Sequence, residues 1–264
     1  MKFAVKHILA ASLVAAGLAS AHAANIVKGS SSTDGAWSFS ELTGTGTLSF
    51  STTLLGALNA GGVEVSGVNP ATVSTTKNAR GKYTAVSAAA PVQSLNGTVS
   101  GNSFTALSVG TLGGALQTAV NDDFTTTGGS LAITNLRVDL TSMRVYATLT
   151  GANGVGTVND LFLWSIGSIT GGSTISLTSG LNTQTNELSG LSINTNAFNL
   201  FSQALGLTDA GKNALATVTD FGKITSTISF KASAVTASVP EPSTYGLMAL
   251  GLVGVAVATR RRTR

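Results

Sequence analysis

Three groups of residues in this 264-residue chain have types and spacing suited to chemistry. Ser74-Thr75-Thr76-Lys77 sets a hydroxyl three residues before an amine, the S-x-x-K spacing of a lysine-assisted serine nucleophile. The S-D-N and K-T-G stretches that complete such a site are missing, so an exposed strand end is the expectation. Asn121-Asp122-Asp123 offers three oxygen-bearing side chains in a row, but a calcium loop spaces its acids and needs a glycine at the bend; a turn is expected instead. Asp139, Asp160 and Glu187 are the carboxylates a glycosidase would set across a groove, and nothing in the pattern brings them together.

The missing residue types decide more. There is no cysteine, and both histidines, His7 and His22, fall in the leader read below. Ser-His-Asp and Cys-His catalysis and the usual His/Cys zinc sites are therefore excluded. No G-x-S-x-G or phosphate-loop pattern occurs. The expectation is a body that is not an enzyme, with no catalytic residue, no cofactor and no metal.

Both ends of the chain carry targeting patterns. At the start, Lys2 and Lys6 form a positive region, Ile8 to Leu18 an apolar one, and Ala21-His22-Ala23 a small-x-small cleavage site, as in a secretory leader removed by signal peptidase. At the end, Val239-Pro240-Glu241-Pro242 precedes an apolar run from Tyr245 to Thr259 and then Arg260, Arg261, Arg262 and Arg264. The two prolines fix φ, remove donors and hold their neighbours extended. The run reaches roughly 22 Å as a helix, a minimal span of a ~30 Å hydrocarbon core. The arginines place its C-terminal end in the cytoplasm and the body outside.

Order and composition of this tail resemble the PEP-CTERM sorting signal of Gram-negative bacteria. The resemblance implies an exosortase acting beside Pro-Glu-Pro, a transient inner-membrane intermediate, and delivery to the cell surface or the exopolysaccharide-containing biofilm matrix. The organisation expected is a leader over 1–23, an extracytoplasmic domain over 24–236, and a sorting signal with a transmembrane helix over 237–264.

The body is nearly uncharged. Of 15 basic residues two lie in the leader and four in the tail, so nine remain against ten acids once Glu241 is set aside; the +4 of the whole chain belongs to its ends. No basic stripe exists to neutralise phosphates, which argues against nucleic acid as a partner. Without cysteine, an exported chain is held by its core and hydrogen-bond ladders alone. The body has about 215 residues, enough for a sizeable core.

Abundant Thr, Ser, Gly, Asn and Val with almost no proline predict short strands and tight turns. Trp37/Phe39 and Leu48/Phe50 suggest an early hairpin. The apolar set of Ser130 to Leu140 changes parity near Thr134-Asn135, which predicts a bulge; Met143 to Leu149 follows as a partner strand. Leu161 to Ile166 reads as a central strand with Phe162 and Trp164 buried, and Ile224, Ile228 and Phe230 mark the last strand. Helical spacing occurs at Leu54, Leu55 and Leu58 after Thr52 or Thr53, at Phe198, Phe201 and Leu205 after Thr195 or Asn196, and after Thr208. Leu48-Ser49-Phe50-Ser51-Thr52 and Leu191-Ser192-Ile193-Asn194-Thr195 match as strand-into-helix units, an internal repeat of two half-units. The fold expected is mainly β, an antiparallel β-sandwich-like domain with a few short helices, plus the C-terminal transmembrane helix.

The run from Gly46 to Val73, with Gly62-Val63-Glu64-Val65 and Asn69-Pro70-Ala71-Thr72, and Leu131 to Leu136, resembles HtaA-like secreted haem-binding domains in rhythm. Those use Tyr and His; Tyr83 and Tyr146 are present here but no body histidine, so the resemblance implies a scaffold without haem binding. The leading expectation is a non-enzymatic surface or matrix protein associated with exopolysaccharide. The alternative is a binding module for glycan, haem or ice; related tails occur on ice binders, whose sites need regularly spaced threonines, and runs such as Thr125-Thr126-Thr127 show no constant period.

Overall fold

The computed structural model describes residues 21–235. Its elements are β1 (His22–Val27), β2 (Ser32–Asp34), β3 (Trp37–Phe50), α1 (Thr52–Ala60), β4 (Glu64–Val68), β5 (Thr72–Lys77), β6 (Tyr83–Ser100), β7 (Ser103–Thr111), β8 (Gly114–Ala119) and β9 (Gly129–Asp139). The chain continues through β10 (Arg144–Gly151), β11 (Gly156–Ser165), β12 (Ser168–Thr170), β13 (Thr174–Ser176), β14 (Gly180–Ser189), β15 (Ser192–Ile193), α2 (Thr195–Ala204), α3 (Asp209–Ala216) and β16 (Gly222–Ala234). The body is mainly β with three short helices, and its strand pairings are antiparallel. Among the described residues no helix is long and apolar enough to cross a membrane; the transmembrane helix expected over the tail lies outside them.

One hydrogen-bonded path runs β12-β14-β16-β3-β6-β7-β9-β10-β11-β15. Its hinge is β6, 18 residues long. The first half of β6 pairs with β3 and β5, the second with β1 and β7. Register shifts at Val92/Ser94 and Asn96/Gly97 let this strand twist from one half of the network to the other. Alternate side chains, among them Val86, Ala88, Ala90 and Val92, stay buried along it.

Two apolar cores result. The smaller centres on Phe39, Phe104 and Phe230, whose ring centroids lie 5.4–5.9 Å apart in tilted and edge arrangements. The larger gathers Leu48, Ile224 and Leu188 from one half of the network, Ile133, Val138, Val145 and Trp164 from the other, and the apolar sides of all three helices.

Several local expectations hold. Asn135 sits at φ 54° and the β9–β10 register slips opposite it, which is the predicted bulge. The helices form where spacing placed them, with Ser51, Asn194 and Thr208 as N-caps; the first two caps fall one residue earlier than expected.

Others are corrected. Trp37 to Phe50 is one 14-residue strand, not a hairpin. Its parity change comes from a bulge at Glu41, φ 54°, where the register against β16 shifts. Phe162 is half-buried, because a register shift between Val145 and Tyr146 sets it opposite half-buried Tyr146 rather than in line with buried Trp164, and Arg144, at 4.7 Å, lies over its ring. The matching strand-into-helix units meet side by side: Asp220–Phe221 bridges them, its backbone bonding to Ser51 and to Leu191. They are not two half-units, since one ends a 14-residue strand and the other a two-residue strand.

Candidate functional site

The outer side of the β14–β16–β3 sheet carries hydroxyls in register. Thr43, Thr45 and Thr47 alternate along β3 and stand opposite Ser229, Thr227 and Thr225 of β16; these face Thr183, Thr185 and Glu187 of β14. Directly opposed residues of an antiparallel pair point to the same side. The rows continue across β6 and β5, where Thr47 meets Ala89 and then Thr72, and Ser49 meets Ser87 and then Ser74. Strand geometry spaces these side chains at ~4.8 Å across the sheet and ~6.8 Å along it. All of the hydroxyl-bearing members are exposed or half-buried.

The sequence builds this surface because each of these strands alternates. On β16, Ile224, Ile228 and Phe230 turn inward and are buried, which forces Thr225, Thr227 and Ser229 outward. Neighbouring hydroxyls are tied across strands, Thr183 Oγ1 to Ser229 Oγ at 2.8 Å and Thr185 Oγ1 to Thr227 Oγ1 at 3.3 Å. Charge at the margins is neutralised in pairs, Lys223 with Glu187 at 2.9 Å and Lys231 with Glu41 at 3.2 Å. The result is an uncharged lattice of donors and acceptors able to bond a hydrated, hydroxyl-rich partner. The absence of a constant threonine period in the sequence is thereby corrected: Thr43-x-Thr45-x-Thr47 is one row of a two-dimensional array. That triplet was a visible signal; its partners on β14 and β16, more than 130 residues away, were not.

The sequence-predicted chemical groups are dispersed. Lys77 is committed to Glu64 at 2.9 Å and lies over the Tyr83 ring at 4.5 Å, away from any serine chemistry. Tyr83 donates to the same carboxylate at 2.7 Å. That hydrogen bond, with the one from Lys77, holds the Glu64 pKa below its ordinary value, while burial pushes the Tyr83 phenol up. Asp122 closes the expected turn by accepting from the Thr125 hydroxyl and from the backbone N–H of Thr126, Thr125 and Phe124, which depresses its pKa strongly.

Asp139 and Asp160 do meet, around Arg137, at 4.0 Å and 2.7 Å. Arg137 in turn stacks on Tyr146 at 4.2 Å, so both carboxylates are spent on a cation. Backbone N–H donation from Ser142 is the main cause lowering the Asp139 pKa. Glu187 is remote from them, on the hydroxyl face. Tyr83 and Tyr146 lie on separate strands in separate clusters. Among the described residues, no three His, Cys, Asp or Glu side chains converge as metal ligands would.

The targeting residues frame the body. Ala21 and Ala23 are exposed, and Ala23 lies at the start of β1, just before the first buried side chain, Ala24. His22 packs beside Gly35, and the N–H of Val235 bonds to the Ala36 carbonyl at 2.7 Å. The two ends of the described chain thus leave from one turn. From Val235 to Pro240 is five residues, a tether of at most ~18 Å. Val239, Pro240, Glu241, Pro242 and Arg260, Arg261, Arg262 and Arg264 lie outside the described residues.

Comparison with known proteins identifies the tail. Residues 238–262 match the family described as the PEP-CTERM protein-sorting motif. No curated protein and no solved structure matches the chain, and the HtaA-like rhythm finds no support there. The chain carries a PEP-CTERM sorting motif and is by that motif an exported, exosortase-sorted protein.

Proposed function

We propose that this is a non-enzymatic protein of the cell surface or extracellular matrix whose body holds hydrated exopolysaccharide on the β14–β16–β3 face. The observation that carries this reading is the in-register hydroxyl array, uncharged as a whole. Neutral polysaccharides present hydroxyls of the same donor-and-acceptor chemistry, and many weak bonds of ~1 kcal/mol each add along a polymer. The regular spacing of the same array also favours a second reading, ordered water at an ice surface.

Delivery follows from the ends. The first and last described residues lie at one turn, which suits an intermediate held against one membrane with the body outward. The two prolines of Pro240-Glu241-Pro242 fix φ and deny a helix, which suits an exosortase that reads extended backbone.

The experiment is retention of the purified exported protein on insoluble polysaccharides, haemin-agarose and ice. Polysaccharide retention competed by the soluble polymer supports the proposal. Retention on ice alone moves the function to the second reading, and retention on none removes the binding role. For delivery, replacing Pro240-Glu241-Pro242 by three alanines is expected to trap full-length protein in the inner membrane. Normal processing of that variant would make the tail an ordinary anchor.

A further inference from the structure

The interior has a feature that neither the tail nor the hydroxyl face uses. Beneath the helices lies a largely enclosed cavity of ≈ 90 Å³, roofed by Leu54, Leu58, Phe201 and Leu215. It exists because the strands below it carry small residues, Gly46 on β3, Ala88 and Ala90 on β6, Gly114 and Ala115 on β8. A second cavity of ≈ 40 Å³ adjoins it, and Gly46, Thr111, Val138 and Ile224 line both. An apolar protein cavity of roughly 150 Å³ takes up benzene, so the two spaces together are of that order.

One of the lining residues carries a buried, unsatisfied donor. Trp164 lines the larger cavity and is 2% exposed, and its indole Nε1–H has no acceptor. The indole nitrogen can only donate, and native interiors rarely leave such a donor unmade. The other tryptophan shows the usual solution, with Trp37 Nε1 donating to the Gly101 carbonyl at 3.0 Å.

We propose that this cavity is a binding site for a compact, uncharged, apolar molecule of about benzene size that carries one hydrogen-bond acceptor, with the acceptor taking the Trp164 Nε1 proton. The mostly apolar walls carry no charged side chain, so a charged molecule would lose its hydration without a counter-charge. The Thr111 and Thr125 hydroxyls in the lining donate elsewhere, to the Leu136 carbonyl and to Asp122, and the Gln117 amide lies at the margin. The fully buried unmet donor is Trp164 Nε1, which a molecule without an acceptor leaves as it was. This site rests on the interior alone and stands apart from the polysaccharide reading.

The test uses benzene and pyridine, which match in size but differ in having an acceptor. The chain has two tryptophans, so the ¹H–¹⁵N spectrum of the exported protein holds two indole peaks, with Trp37 as internal reference. Pyridine is expected to move the Trp164 peak saturably and to leave Trp37 in place. By ligand-detected NMR, Trp164→Phe is expected to weaken pyridine about tenfold and benzene by less than about threefold. Gly46→Leu, which fills the shared wall, is expected to weaken both. A Trp164 peak that pyridine does not move overturns the proposal, as does a Trp164→Phe protein that binds pyridine like wild type. Should that variant not fold, the wild-type titration decides alone.

Discussion

Strand β16 has two sides with different duties. Inward it presents Ile224, Ile228, Phe230 and Ala232, all buried; outward it presents Thr225, Thr227 and Ser229, of which Thr227 and Ser229 are hydrogen-bonded to the Thr185 and Thr183 hydroxyls. Stability therefore resides in one set of alternate residues, and the other set is free to be chosen for contact. The same division separates the two tryptophans: one is a finished piece of packing, the other lines unfilled space.

The contrast is broken hardest from the inside. Phe230→Ala removes one ring of the Phe39–Phe104–Phe230 trio and is expected to cost about 3–5 kcal/mol in denaturant unfolding. Thr227→Ala, three residues away on the outer side, is expected to stay within about 0.5 kcal/mol. Equal costs would mean that the two faces are not distinct. A smaller effect separates the tryptophans. Trp37→Phe leaves the Gly101 carbonyl without its donor and is expected to cost about 1–3 kcal/mol beyond its loss of packing, whereas Trp164→Phe has no hydrogen bond to lose.

Acid tests the margins of the sheet. The folded pKa values of Glu64, Asp122 and Asp139 are held below their ordinary values by hydrogen bonds that fold with the chain. Each contributes stability that is complete above the unfolded value and is lost as pH falls through the depressed folded one. The melting temperature should be flat near neutrality and fall below about pH 4. Glu64→Gln should reduce that slope. Tyr83 acts in the opposite window: its raised pKa gives stability that is full below the ordinary 10.0 and is lost as pH rises through the folded value. A melting temperature that Glu64→Gln leaves with the same acid slope would show that this cluster is not coupled to folding.

How far the sequence could be read follows from range. Local signals were legible: parity change marked the bulge at Asn135, and polar residues before apolar spacing marked all three helices. Between Phe39 and Leu48 the same kind of parity change occurs, but two apolar pairs at strand spacing suit a hairpin as well as one bulged strand. What resolved it was β16, a partner some 190 residues distant in sequence whose pairing carries β3 through as one strand. The hydroxyl face failed for the same reason. One strand shows a Thr-x-Thr-x-Thr row, but an array needs the register of β14 against β16 against β3, which no local pattern states. The cavity is less legible still, since small residues at Gly46, Ala88 and Gly114 look like ordinary strand glycines and alanines until they face one space.

The smallest change in stability carries the largest functional consequence. Thr45, Thr185 and Thr227 form one row across three strands, all exposed. Replacing all three with valine keeps β-branched side chains of nearly equal volume and removes only hydroxyls, so melting should shift by no more than a few degrees. Retention of this triple variant on the polysaccharide that holds the wild type is the direct measurement. A fall of tenfold or more is predicted, from the loss of three bonds of ~1 kcal/mol each. Undiminished retention by a folded triple variant would contradict the assignment of this face as the site of contact.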